Sequence, residues 1–191
     1  MRSMSQRQRA VALLVVQAAL VLSIAGKYLY ERKVCPRVWV RAAQYDPSLV
    51  FRGRYLALQL TVDACALPRD KAEHMGGVFN GPHVHFPPDQ SFWRWNVRPV
   101  AQDGKLVPLL ASGTDRPEVI DTVMLRGDRP CDRATLSEAV EYFVSDATKG
   151  PFPPGPKQEL WVEVTVPPSG PPRPIELALA EDGVFTPLKL Q

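Results

Sequence analysis

A continuous apolar run, Ala10–Gly26, lies near the N-terminus between Arg9 and Lys27 and contains no charged residue. As a helix that rises about 1.5 Å per residue, this run covers about 25 Å, which is just enough to span the hydrocarbon core of a bilayer. Lys27, Tyr28 and Tyr30 follow it directly and suit the membrane interface. The pattern predicts a transmembrane helix.

A cleavable secretory signal is the alternative interpretation of the same run. The arginines before it would form the basic region, and Ser23–Ala25 offers small residues for cleavage. The run is longer than the usual ~7–15 apolar residues of a signal, and basic and aromatic residues follow it at once. We therefore predict an uncleaved anchor, with residues 1–31 as tail and anchor and residues 32–191 as one folded domain.

Beyond the anchor, apolar and polar residues alternate with the period of half-buried β-strands. In Tyr55–Val62 the alternation sets Leu56, Leu58, Leu60 and Val62 on one face. Four further segments alternate in the same way: Arg37–Ala42, Phe92–Val100, Leu160–Val166 and Ile175–Ala180. The chain after the anchor is therefore predicted to be rich in β-strands.

Two Asp-Gly pairs mark hairpin turns. Asp103-Gly104 separates Phe92–Val100 from Lys105–Leu110, and Asp182-Gly183 leads from Ile175–Ala180 into Val184–Leu190. The C-terminal third is therefore predicted to be an antiparallel meander. Three Pro- and Gly-rich stretches are predicted to be loops: Pro68–Gln90, Pro151–Pro156 and Pro167–Pro174.

One segment departs from the strand pattern. Leu136, Ala139, Val140, Phe143 and Val144 follow the spacing of an amphipathic helix. Thr135–Glu138 has the form of a capping box, and Gly150 would end the helix. The predicted fold class is thus mainly β with a short helix (α+β): a single N-terminal transmembrane helix followed by one antiparallel β-rich domain.

Composition narrows the function classes. All 20 prolines lie from Pro36 onward, which excludes a bundle of long helices. A formal net charge of +3 is not typical of nucleic-acid binding, and alternation in Phe92–Trp95 separates the tryptophans from Arg94. We expect no nucleic-acid partner. The chain also lacks the nucleophile-elbow, phosphate-loop and dinucleotide motifs, and we expect no cofactor.

After the anchor, the chain resembles the GDYXXLXY family of bacterial membrane-anchored proteins. Gly53, Tyr55 and Leu58 occupy the Gly, Tyr and Leu of the signature, and Asp46-Pro47 and Phe51-Arg52 precede it as in the family. Further segments that resemble the family are Glu141-Tyr142-Phe143-Val144 and Glu159–Val166. Two positions differ, because Arg54 replaces the signature Asp and Leu60 its last Tyr.

The resemblance implies location more than mechanism. Family members have one anchor, have no established activity, and are associated with multi-spanning membrane proteins. Basic residues flank the apolar run on both sides, so charge alone leaves the topology open. With the resemblance, we predict a single-pass protein of the inner membrane with its domain on the periplasmic, extracytoplasmic side. Gly53 and Tyr55 are expected to serve folding at a loop–strand junction.

Histidines and cysteines offer further chemistry. His83 and His85 would point to the same side of an extended segment, as two metal ligands do, but they lie in a proline-bracketed loop.

In an oxidising compartment Cys65 and Cys131 are the favoured disulfide pair, because the short tether Lys27–Val34 holds Cys35 next to the bilayer. Three free thiols are the alternative.

The sequence thus leaves several functions open. The first is an accessory or assembly partner of an integral membrane protein in the cell envelope. The second is a metal-binding protein or hydrolase that uses His83 and His85. The third is an envelope domain that binds a small molecule or peptide in a groove beside Tyr55, Trp93 and Trp95.

Overall fold

The computed structural model describes residues 5–44, 55–75, 91–117, 120–143 and 157–188. They belong to two compact units, Met1–Cys35 and Pro36–Gln191. The first unit is a helix and the second a β-domain. The helix continues past the boundary predicted at residue 31 and ends just before Pro36, which cannot donate a helical hydrogen bond.

The helix α1 spans Gln6–Val34. Ser5 begins it with a capping box, because its hydroxyl accepts from the Gln8 backbone N–H while the Gln8 side chain accepts from the Ser5 backbone N–H. Its most apolar 18-residue window has a mean hydropathy of 2.0, and none of that window is buried. A core helix would bury such residues. The helix is therefore a candidate membrane anchor or signal sequence.

The β-domain contains one large antiparallel sheet, as the sequence predicted. Its described strands are β1 Arg37–Gln44, β2 Tyr55–Val62, β3 Glu73–Met75, β4 Phe92–Gln102, β5 Lys105–Leu110, β6 Asp121–Arg126, β7 Ala134–Phe143, β8 Glu159–Thr165, β9 Arg173–Glu181 and β10 Val184–Pro187. The strand order is β10-β9-β8-β1-β2-β7-β6-β4-β3, and β5 also pairs with β4. The mainly β fold class is confirmed.

Strands β1 and β2 form the middle of the sheet. The meander β8–β10 continues it from β1, and β7, β6 and β4 continue it from β2. At the far end two strands share the outer edge of β4: β3 lies opposite Phe92–Arg94, and β5 lies opposite Val97–Gln102. Strands β1 and β5, and likewise β7 and β9, approach each other without pairing, so the sheet curls around its core.

The core lies on the concave face and follows the predicted alternation. In β2 the residues Leu58, Leu60 and Val62 are buried, whereas Gln59 and Thr61 between them are partly exposed. Trp95 of β4 is the largest fully buried side chain. Each buried side chain removes apolar surface from water, and this hydrophobic contribution is the main favourable part of the free energy of folding.

Both predicted hairpins are present. Asp103 and Gly104 have φ of 50° and 73°, and Asp182 and Gly183 have φ of 50° and 82°. Positive φ at both central residues matches the twist of the flanking strands, which is why Asp-Gly is favoured there. The first turn joins β4 to β5 and the second joins β9 to β10.

The helix predicted from Thr135 is wrong, because this segment is β7. Leu136 and Val140 are both buried, and their four-residue spacing suits either a helical turn or two strand repeats. Of the other described residues in the proposed apolar stripe, Ala139 is only partly buried and Phe143 is exposed. Pairing with β2 and β6 supplies the backbone hydrogen bonds, so tertiary contacts decided the conformation. Val144–Gly150 lie outside the described residues.

Besides β7, two further strands were not predicted. β6 was missed altogether, and β3 lies within Pro68–Gln90, which was predicted to be a loop. A 3-10 turn at Arg69–Lys71 precedes β3 in that stretch. The three residues of β3 are all exposed, so no buried alternation marks them in the sequence.

Candidate functional site

The signature residues lie partly outside the described chain. Asp46, Pro47 and Gly53 lie outside the described residues, so the roles predicted for them stay predictions. Tyr55 is the first residue of β2. Leu58 is fully buried in the core, which is a structural position rather than a reactive one.

The structure brings two of the family-like segments together. In the pairing of β2 with β7, Tyr55 lies opposite Phe143 and Ala57 lies opposite Glu141. Glu141 and Phe143 are exposed, and Tyr142 packs partly buried against the core. The third segment, Glu159–Val166, includes β8, which is separated from β2 by β1. These segments thus lie in neighbouring parts of one sheet.

The candidate metal site at His83 and His85 is not tested by the described structure. His83 and His85 lie outside the described residues. Within the described part of the chain, no group of three or more His, Cys, Asp or Glu residues is arranged to hold a metal ion. The His74 ring packs against Trp93, with 4.5 Å between the ring centroids and 49° between the ring planes.

Cys65 and Cys131 are joined in a disulfide, the pair that the sequence analysis favoured. Their Cα atoms are 4.9 Å apart, and 66 positions separate them in sequence. The bond ties the segment after β2 to the 3-10 turn before β7. A backbone hydrogen bond from Ala64 N–H to the Cys131 carbonyl, 2.9 Å long, lies beside it. Cys35 is a free thiol.

The disulfide fixes a covering segment, Asp63–Met75, over one end of the core. Leu67 of this segment is buried, and the indole N–H of Trp95 donates to the Pro68 carbonyl at 2.9 Å. The Arg69 guanidinium lies 5.6 Å from the centre of the Trp93 ring. Trp95 is therefore enclosed, and the groove predicted beside the tryptophans is not open at this residue.

An open cleft lies on the opposite face of β4. It occupies about 380 Å³ at the edge of the sheet, near the end of β5 and the start of β3. Its described lining consists of Lys71, Glu73, Arg94, Asn96, Leu110 and Ala111. Alternation places Arg94 and Asn96 on this outer face because Trp95 and Val97 point into the core.

Paired and unpaired charges line this cleft. Arg94 Nε donates to Glu73 Oε2 at 3.0 Å, and Arg94 Nη2 contacts the same oxygen. Lys71 makes no ion pair within the described chain. The Asn96 side-chain oxygen accepts a long hydrogen bond of 3.4 Å from Thr122 Oγ1. The cleft therefore presents more positive than negative charge, and it offers hydrogen-bond donors.

Sequence reasoning missed this cleft for an identifiable reason. The alternation did place Arg94 and Asn96 together on the solvent face of a strand. Lys71 and Glu73, however, come from the stretch predicted to be a loop, and only the pairing of β3 with β4 brings them near Arg94. Three polar residues at alternate positions, Arg94, Asn96 and Arg98, were the available signal.

No protein-family model, curated protein or solved structure matches this chain. Membership of the GDYXXLXY family therefore stays a prediction, which rests on Gly53, Tyr55, Leu58 and the segments that resemble the family.

Proposed function

We propose that this chain is a single-pass, N-terminally anchored protein whose domain lies on the extracytoplasmic side of the inner membrane, where it serves as an accessory partner of an integral membrane protein. The Cys65–Cys131 disulfide is the observation that carries the location. Disulfides persist in oxidising compartments such as the bacterial periplasm and are rare in the cytosol. A domain that contains this disulfide is therefore expected on the periplasmic side of the membrane, where the bond persists.

The helix supports the anchored state. Its apolar side chains from Val11 to Ile24 are exposed on every face, and exposed apolar surface of this extent is unfavourable in water. A bilayer would cover it. Arg32 and Lys33 in its last turn provide charged ends that can reach the headgroup region.

The accessory role rests on the family resemblance and on one surface feature. Strand β10 is the outermost strand at its end of the described sheet, and all four of its residues are exposed, including Val184 and Phe185. An uncovered edge strand with apolar side chains can pair with another chain. This edge is the surface that we expect a partner protein to use.

Cysteine labelling tests the topology. In a Cys35→Ser background, single cysteines replace Lys105, the first residue of β5, or Ser5, before the helix. A membrane-impermeant maleimide applied to spheroplasts should label position 105 directly and position 5 only after permeabilisation. The reverse pattern would overturn the proposed orientation.

In-membrane crosslinking tests the accessory role. A photoreactive residue at Val184 on β10 should capture a multi-spanning membrane protein. The same residue at Asp103, in the turn at the other end of the sheet, is the matched control and should not. Equal capture from both positions, or capture of soluble proteins only, would contradict a specific membrane partner.

A further inference from the structure

The cleft at the edge of β4 contains hydrogen-bond donors that have no partner among the described residues. Lys71 Nζ makes no ion pair within the described residues. Arg94 directs Nε and Nη2 to one oxygen of Glu73, which leaves Nη1 for another acceptor. The Asn96 side chain is hydrogen-bonded only through its oxygen, so its amide hydrogens are also unused in the described structure.

The charges of the cleft favour an anion. Lys71 and Arg94 bring two positive charges, and Glu73 is the single acidic residue in the described lining. Because Arg94 neutralises Glu73, the remaining positive charge belongs to Lys71. Ammonium, guanidinium and amide donors that converge on one space are typical of sites for carboxylate and phosphate groups.

The cleft also has an apolar side. Leu110 lies at the end of β5 and is 37% exposed, and Ala111 follows it. The Ala111 backbone N–H donates to the Asn96 carbonyl at 2.9 Å, which fixes this apolar lip beside the polar donors. A ligand with both an anionic group and an aliphatic portion would therefore be complementary to the whole cleft.

The opposite wall of the cleft is held in place before any ligand arrives. Lys71 and Glu73 belong to the covering segment Asp63–Met75, which the Cys65–Cys131 disulfide and the Trp95–Pro68 hydrogen bond attach to the domain. The Lys71 N–H also donates to the Pro68 carbonyl, which closes the 3-10 turn. Preorganised walls reduce the entropy lost on binding.

We propose that this cleft is a binding site for a small ligand with a carboxylate or phosphate group and a short aliphatic portion. The anionic group binds Lys71, Arg94 Nη1 and Asn96, and the aliphatic portion lies against Leu110. The inference does not depend on the accessory role or on the side of the membrane. The same anionic chemistry is offered by a free phosphate monoester and by the headgroup of an anionic lipid.

Calorimetry on the full-length chain in a neutral detergent tests the site, with hexyl phosphate as the probe. Hexyl phosphate should bind more tightly than inorganic phosphate, and hexanol should not bind measurably. Lys71→Gln should weaken hexyl phosphate binding about tenfold, since it removes one charge-assisted hydrogen bond. Lys105→Gln is the matched control, because Lys105 is exposed in the β4–β5 hairpin and does not line the cleft; it should leave the affinity unchanged.

Nanodiscs distinguish the two sources of the anionic group. If a lipid headgroup occupies the cleft, the apparent affinity for hexyl phosphate should be lower in phosphatidylglycerol discs than in phosphatidylcholine discs, and Lys71→Gln should abolish that difference. If the native ligand is a free molecule, Lys71→Gln should weaken binding by the same factor in both discs. Either result supports the anion site.

Two results would overturn the proposal. The first is the absence of hexyl phosphate binding to the parent protein. The second is binding that Lys71→Gln and Lys105→Gln weaken equally, which would indicate nonspecific attraction to a basic protein. Asn96→Ala provides an independent check, because it removes a donor without changing the net charge. It should also weaken hexyl phosphate binding, and an unchanged affinity would exclude the cleft.

Discussion

Asp121 shows how one buried carboxylate holds an irregular part of the sheet. It is 7% exposed, and its Oδ1 accepts from the Thr122 N–H at 2.6 Å, the Ser137 hydroxyl at 2.9 Å and the Glu138 N–H at 3.3 Å. The last two donors lie where the pairing of β7 with β2 shifts register. Asp121 thus accepts hydrogen bonds from polar groups that the interrupted strand pairing would leave without partners.

Replacement of Asp121 by alanine should lower the free energy of unfolding by about 2–4 kcal/mol, because it leaves the Glu138 N–H and the Ser137 hydroxyl without this acceptor. Asp128→Ala is the control. Its carboxylate is exposed and pairs with Arg126, so the cost should stay below about 1 kcal/mol. Urea denaturation followed by tryptophan fluorescence measures both. A loss for Asp121→Ala as small as that for Asp128→Ala would mean that Asp121 is not needed where the register shifts.

Strand β7 illustrates how elements are decided beyond the local sequence. Its apolar residues satisfy a helical period as well as a strand period, and a local capping motif precedes them. The hairpins differ, because Asp-Gly imposes a conformation that depends on two residues alone. Secondary structure was therefore predictable where a turn fixed the backbone conformation. It was not predictable where the apolar residues fitted both the helical and the strand period.

Gly104 in the β4–β5 turn and Gly113 in the turn after β5 offer a matched pair of glycine substitutions. Gly104→Ala should destabilise the domain by about 1 kcal/mol, because φ is +73° there and a Cβ makes that conformation unfavourable. Gly113→Ala should be neutral or slightly stabilising. An added Cβ meets nothing at either position, so backbone conformation is the difference between them. Thermal melts compare the two variants, and a similar melting temperature for both would contradict the turn assignment.

The disulfide should contribute strongly to the stability of the covering segment Asp63–Met75. Replacing Cys65 and Cys131 together by alanine should lower the free energy of unfolding by about 2–4 kcal/mol, since the bond closes a long loop in the unfolded chain. Cys35→Ala should leave stability unchanged because that thiol is free. Denaturation of the full chain in detergent is the measurement. A double variant as stable as the parent would exclude a structural role for the bond.

On the scale of the whole molecule, we expect the anchor to remain uncleaved. The intact mass of the protein from the membrane fraction should include α1, because its apolar run exceeds that of a typical signal. Ala25→Tyr, which removes the small residue before the predicted cleavage point, should be retained in the membrane to the same extent as the parent. A parent chain that begins at Gly26 would show that the helix is a signal peptide.

The sequence alone determined the features that depend on neighbouring residues: the apolar helix, the alternation of the long strands and the two Asp-Gly turns. These follow from periodicity and backbone preference, which act within a few positions. The tertiary structure decided that residues 134–143 pair as β7, that β3 adds to β4, and that Lys71 and Glu73 meet Arg94 and Asn96. Such choices depend on hydrogen-bond partners and buried surface supplied by residues far away in sequence, and no local pattern encodes them.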